Sequence, residues 1–208
     1  MSIEAGTVIP TIIGALLGFF AAVFAEPLRL LIYRPKLQLE FGDTSDYRAR
    51  TPEHRQTLPE LGRAPQSHNA EYIRIKVTNT KPWVAKNCRA YLVAIEKADV
   101  RNQFEPTIYC DSLPLSWACR GDQAYDPQDL PRDVPHFVDV VSTRSVSTDF
   151  RPEIRPIPYR YASLFSERGA FRFTIQVSGE NLKPVRIRII FCWAGVWDKY
   201  ETRLDSAR

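Results

Sequence analysis

The chain has 208 residues, 44% of them hydrophobic and 12% aromatic, with a formal net charge of +4 and the two signs interspersed. That is the composition of one ordinary folded domain with an appendage, and it excludes a disordered chain. A mean hydropathy of -0.28 excludes a bundle of membrane helices, and so small and dispersed a positive charge gives no case for nucleic acid as a partner.

A short tail, residues 1–6, leads into an uncharged run: no Asp, Glu, Lys or Arg occurs from Ala5 to Ala25. As a helix, residues 7–25 would be roughly 28 Å long, against a hydrocarbon core of about 30 Å. Pro10 falls in the first turns, where proline costs least. Two other readings compete. Val23-Phe24-Ala25 loosely resembles a signal-peptide cleavage site, but the residues before the run hold Glu4 and no base. A core helix would show a polar stripe, and this run is apolar on every face. The expectation is one transmembrane helix over 7–25. A basic juxtamembrane segment, 26–34, carries Arg29 and Arg34, with Lys36 just beyond. The bases follow the run rather than precede it, which predicts an N-terminus outside and a C-terminal domain in the cytoplasm. Gly14, Gly18 and Ala22 share one helix face, and small residues so placed let two spans pack closely. A homo-oligomer through the span is therefore expected.

Beyond the run the chain turns to strand signals. PKLQLEF, 35–41, alternates with Leu37, Leu39 and Phe41 on one side. Residues 42–70 are polar and proline-bearing, predicting a long exposed loop. EYIRIKVTNT, 71–80, alternates most cleanly: Ile73, Ile75 and Val77 inward, Arg74, Lys76 and Thr78 outward. CRAYLVAI, 88–95, predicts a second long strand. A third, 109–118, is interrupted by Pro114, which implies an edge or a bulge. Residues 121–135 form a polar connection, and 137–142 a further strand. The prolines of 144–169 predict an extended crossing without regular helix. AFRFTIQVS, 170–178, and VRIRIIFCW, 185–193, close the pattern, with a tail at 201–208. About seven strands with little helix predict a mainly β protein, an antiparallel β-sandwich over 35–200 preceded by the span.

YIRIKVTNTKPWVAKNCRAYLVAI, 72–95, resembles the opening of immunoglobulin-like domains in uncharacterised bacterial proteins. SLPLSWA at 112–118, FTIQVSGENLKPVRIRIIFCW at 173–193 and GVWD at 195–198 are similar to the same family. The resemblance implies an immunoglobulin-like fold behind one membrane span. It brings no activity and no catalytic residues.

The chemistry-bearing residues are dispersed. His54 and His68 fall in the polar loop and His136 just before a strand, where none is framed by a second catalytic group. Cys88, Cys110, Cys119 and Cys192 form no CxxC pair. In a reducing compartment they would be small hydrophobes; in an oxidising one, strand-to-strand disulfides would be open to them. GDQAYDPQD, from Gly121, lacks the ligand spacing of a calcium loop. Neither cofactor nor metal is expected. Arg74 and Lys76, with Arg186 and Arg188, would form a basic surface patch if their strands were neighbours. The functional expectation is a non-catalytic, membrane-anchored binding module, a sensor or adaptor, whose partners are the lipid bilayer, a second copy, and a protein or small molecule. The alternatives are an envelope structural protein facing outward, or an enzyme with a site in 42–69 or 144–169.

Overall fold

The computed structural model describes residues 18–19, 23–25, 33–42, 44–54 and 67–205. Most of the expected span, and with it Gly14 and Ala22, lies outside the described residues, as do Arg29, residues 55–66 and the two chain ends. Among the described residues no helix is long and apolar enough to cross a membrane. Gly18, Phe19 and residues 23–25 are helical and exposed.

The described chain is mainly β. It opens with β1 (Leu37–Glu40), β2 (Arg48–His54), β3 (Ser67–Asn79) and β4 (Ala85–Ala98). Short pieces follow: β5 (Phe104–Pro106), β6 (Leu113–Pro114), β7 (Ser116–Trp117) and β8 (Gln128–Leu130). Then come β9 (Pro135–Arg144), β10 (Phe150–Pro152), a single α turn, α1 (Ala162–Phe165), and β11 (Gly169–Ser178), β12 (Val185–Val196) and β13 (Lys199–Leu204). Two antiparallel sheets result. In the first, β1 and β2 share one edge of β3, β9 lies on its other side, and β7 and β10 flank β9. In the second the order is β13, β12, β11, β4, with β5, β6 and β8 along the free edge of β4.

Alternation explains the long strands. Ile73, Ile75 and Val77 of β3 are fully buried, and Phe171, Phe173, Ile175 and Val177 of β11 meet them from the second sheet. Burying a side chain of this size stabilises by about 1.5–3 kcal/mol, so one apolar face per sheet suffices to hold the layers together. The centre is aromatic. Phe150, from β10 of the first sheet, packs on Phe171, Phe191 and Trp193 of the second at centroid distances of 4.9, 5.4 and 6.2 Å.

Four expectations are corrected. The stretch 42–70 is not simply a loop: β2 pairs with the first half of β3, from Arg48 opposite Ile73 to His54 opposite Ser67. Its sequence, RARTPEH, has no apolar period, and its strand form comes from main-chain bonds to a neighbour. The strand expected at 109–118 is two pieces in different sheets: β6 pairs with β4, β7 with β9, and Pro114 stands at the crossing. The crossing segment 144–169 contains β10 and α1, because its prolines end at Pro158 and leave the next residues free to coil. The expected tail begins inside β13, an edge strand paired with β12.

Candidate functional site

The strands bearing the four patch residues are not neighbours. β3 belongs to the first sheet and β12 to the second, so Arg74 and Lys76 face away from one side of the sandwich and Arg186 and Arg188 from the other. The bases of β3 are also matched by acids. Arg74 Nε donates to Asp139 Oδ1 at 2.7 Å, and Lys76 Nζ to Glu40 Oε2 at 2.6 Å. On β12, Arg186 Nε donates to Gln176 Oε1 at 2.8 Å, and Arg188 is exposed beside the Arg172–Glu96 pair. No single basic patch exists, because two layers turn their outward faces in opposite directions.

Of the other sequence-selected residues, Gly18 is exposed, and a methyl group added there would meet nothing within 4 Å. Arg34 is half-buried, with its Nε shielded and without a hydrogen-bond partner. Lys36 is exposed where the chain enters β1, and its carbonyl accepts the Thr80 amide at 2.9 Å. Cys88 and Cys192 sit on strands separated by β11, at opposite ends of it, so they cannot pair with each other. Burial pushes the Cys88 thiol up to about 12.

The sheet topology does assemble a site that sequence reasoning missed. At the β7–β9 edge of the first sheet, where outward Arg74 and Phe137 meet inward Trp117 and His136, a cleft of about 360 Å³ is lined by these residues with Cys119, Arg120 and Val134. β3 supplies Arg74, β7 supplies Trp117, and β9 supplies His136 opposite Val77. After β7, Cys119 takes a positive φ of 61° and turns the chain, bringing Arg120 to the rim. The Trp117 and His136 rings meet edge to face at 6.3 Å. His136 Nε2 is buried without a hydrogen-bond partner. Burial, and then the nearby Arg120 charge, lower the histidine's pKa, so the ring is neutral near pH 7.

Behind Arg74 the charges continue inward. Asp139 is buried, and burial pushes its carboxyl up to about 6 against the opposing pull of Arg74. Ser142 Oγ donates to Glu153 Oε1 at 2.5 Å, and Arg144 reaches both, with Nη1 on Ser142 Oγ at 2.9 Å. These groups satisfy one another, so their role is to hold Arg74 and β9 in place. Arg120 is exposed at the mouth and Arg74 is half-buried beside it, with the buried Trp117 indole and His136 ring behind them. Two guanidinium groups offer hydrogen-bond donors to an anionic group.

A second polar cluster joins Tyr161 and Asp111, whose Oδ2 accepts from the tyrosine hydroxyl at 2.7 Å and is also bonded by Arg160. That cluster anchors the segment before β11. Among the described residues no group of His, Cys, Asp and Glu is placed to hold a metal ion. Asp129, in the acidic connection, accepts the Asn87 amide at 2.9 Å. Comparison with protein-family models, with curated proteins and with solved structures found no match.

Proposed function

We propose that the chain is a single-pass, membrane-anchored binding module, non-catalytic, with an immunoglobulin-like sandwich on the cytoplasmic side. The observation that carries the anchored reading is that Phe19, Val23 and Phe24 are helical and exposed. A core helix would bury such side chains. The uncharged run that contains them is long enough to span, and the bases follow it. Strand order supports the immunoglobulin-like reading: β1, β3, β9 and β7 stand where strands A, B, E and D would, and β12, β11 and β4 where G, F and C would. The core departs from antibody domains in having no cysteine on β3 or β11, and the Phe150 cluster occupies the space between the sheets.

Binding, rather than catalysis, is the reading that the cleft beside Arg74 favours, since its two guanidinium groups are donors and Arg74 is held in place by its ion pair with Asp139. Oligomerisation through Gly14, Gly18 and Ala22 would couple that binding to a second copy. The test is made on the full chain in native membranes. Resistance to alkaline carbonate, together with a C-terminal tag protected from protease until lysis, is expected. Release by carbonate would overturn the anchor. A tag digested in intact spheroplasts would put the domain outside, and the envelope reading would replace this one. The Gly14→Ile, Gly18→Ile double change should weaken crosslinked dimers, and an unchanged pattern would remove the oligomer.

A further inference from the structure

Four chain segments converge at one end of the sandwich. Residues 33–36 enter β1, whose Leu37 lies opposite Asn79. The β3–β4 turn carries Trp83 and Val84, residues 131–134 lead into β9, and the β11–β12 turn reaches back to them. The Thr80 amide holds the first through Lys36 O at 2.9 Å, and buried Asn79 ties the second and third together. Its Nδ2 donates to Trp83 O at 2.6 Å and Leu130 O at 3.0 Å, and its own carbonyl accepts the Asp133 amide at 2.8 Å. Asn181 Nδ2 donates to Val84 O at 2.9 Å and secures the fourth.

This end exposes apolar surface that a water-facing turn does not need. Trp83 is 45% exposed, with Tyr33 edge-on at 4.5 Å, and Val84 and Val134 stand out beside them. Around these lie Lys36, Lys81, Lys86 and Lys183, all exposed and without an ion pair to any described residue. Three acids share this end, one in an ion pair and two bonded by neutral amides, so the four lysines outnumber the acids that keep an unpaired charge. Asp133 pairs with Arg132 at 2.8 Å, and Asp129 and Glu180 accept from Asn87. An indole and a phenol ringed by unpaired lysines match the headgroup layer of a bilayer, where amphipathic rings and basic side chains both settle. The tether agrees. Tyr33 follows Ala25 by eight residues, so at most about 28 Å of chain separates this end from the uncharged run. The opposite end, where β12 closes at Val196, is on the order of 35 Å away along the strand.

We infer that the Tyr33–Trp83 end of the sandwich is a docking surface for an anionic phospholipid bilayer, and that it lays the domain on the membrane in a fixed orientation. The inference rests on the anchored reading and adds its orientation: the cleft beside Arg74, whose lining includes Val134, reaches the rim of the docked end.

The test uses the full chain reconstituted in vesicles of phosphatidylcholine, with or without phosphatidylglycerol, containing a lipid with a spin label near the headgroup. Trp117 and Trp193 are buried, and Trp197 lies under Arg50 just beyond the far end of β12, so Trp83 is the indole placed to feel the label. Stronger quenching is expected with phosphatidylglycerol, by about twofold, with most of the increment lost at 1 M salt where screening reaches about 3 Å. Trp83→Phe should abolish the increment, and Lys36→Glu, Lys81→Glu, Lys183→Glu together should reduce it while circular dichroism stays unchanged. Equal quenching of wild type and Trp83→Phe overturns the inference, as does equal quenching in the two lipid mixtures. Quenching absent while a photocrosslinker at position 84 captures a protein would assign this end to a protein partner instead. Carbonate extraction of the same vesicles separates the two claims. A chain that resists extraction but shows no Trp83 quenching refutes the docking surface alone. A chain that is released refutes the anchor, and quenching by added vesicles then decides the docking surface by itself.

Discussion

The two sheets treat their outer sides differently. In the first, β9 is buried without a break from Val138 to Thr143, and its outward residues Asp139 and Ser142 are covered and bonded to Arg74, Glu153 and Arg144. In the second, β11 keeps Arg172 and Gln176 half-exposed between its core residues, and Arg186 and Arg188 of neighbouring β12 stand in solvent. The same alternation therefore gives a closed polar layer on one side and an ordinary wet face on the other. A charge on the closed side has given up water and depends on its partners, whereas Arg186 and Arg188 on the other side keep their hydration.

That contrast can be broken most severely where the sheets share a core. Phe150→Ala removes the ring that touches both layers and should cost about 4 kcal/mol in urea denaturation. Next, Arg74→Met strands Asp139 and should cost about 2–3 kcal/mol, a loss limited because the carboxyl can take up a proton. A cost below 0.5 kcal/mol would mean that the layer is not closed. The third test is pH. Asp139 ionises near 3.8 in an unfolded chain and near 6 in the fold, so between these values the native state holds the proton more firmly. Its contribution to stability is present below about pH 4 and is lost as pH rises through 6. Between pH 4.5 and 7 the wild type should lose about 2 kcal/mol more than Asp139→Asn, read from paired denaturation curves. The smallest effect belongs to the wet face: Arg186→Ala and Arg188→Ala should each stay within about 0.5 kcal/mol of wild type.

How far these features were legible depended on strand length and on distance in sequence. β3, β11 and β12 each bury one face over ten or more residues, so their period of two stood out. β5, β8 and β10 have three residues each and cannot display a period. β2 had length but no apolar side, and only pairing with β3 defines it. For the site, Asp139 inside the apolar run FVDVVS was a visible sign of a buried acid awaiting a partner. Its partner is 65 residues away, however, and only cross-strand register brings the two together. His136 looked like a surface residue at a strand start because Trp117, which covers it, arrives on a strand of two residues. The expected basic patch failed for the same reason in reverse: outward-facing residues were legible on each strand, but the sheet to which each strand belonged was not.

The crossing at Leu113–Trp117 has a consequence for how the sandwich comes apart. The Leu115 amide donates to Ala90 O of the second sheet at 2.9 Å, and the very next amide, Ser116, donates to Glu153 O beside the first at 3.0 Å. Two adjacent peptide groups thus fasten the layers like a stitch passed through both cloths. The sheets cannot part like the covers of a book while that stitch holds, so their amide protons should exchange with solvent in one concerted opening.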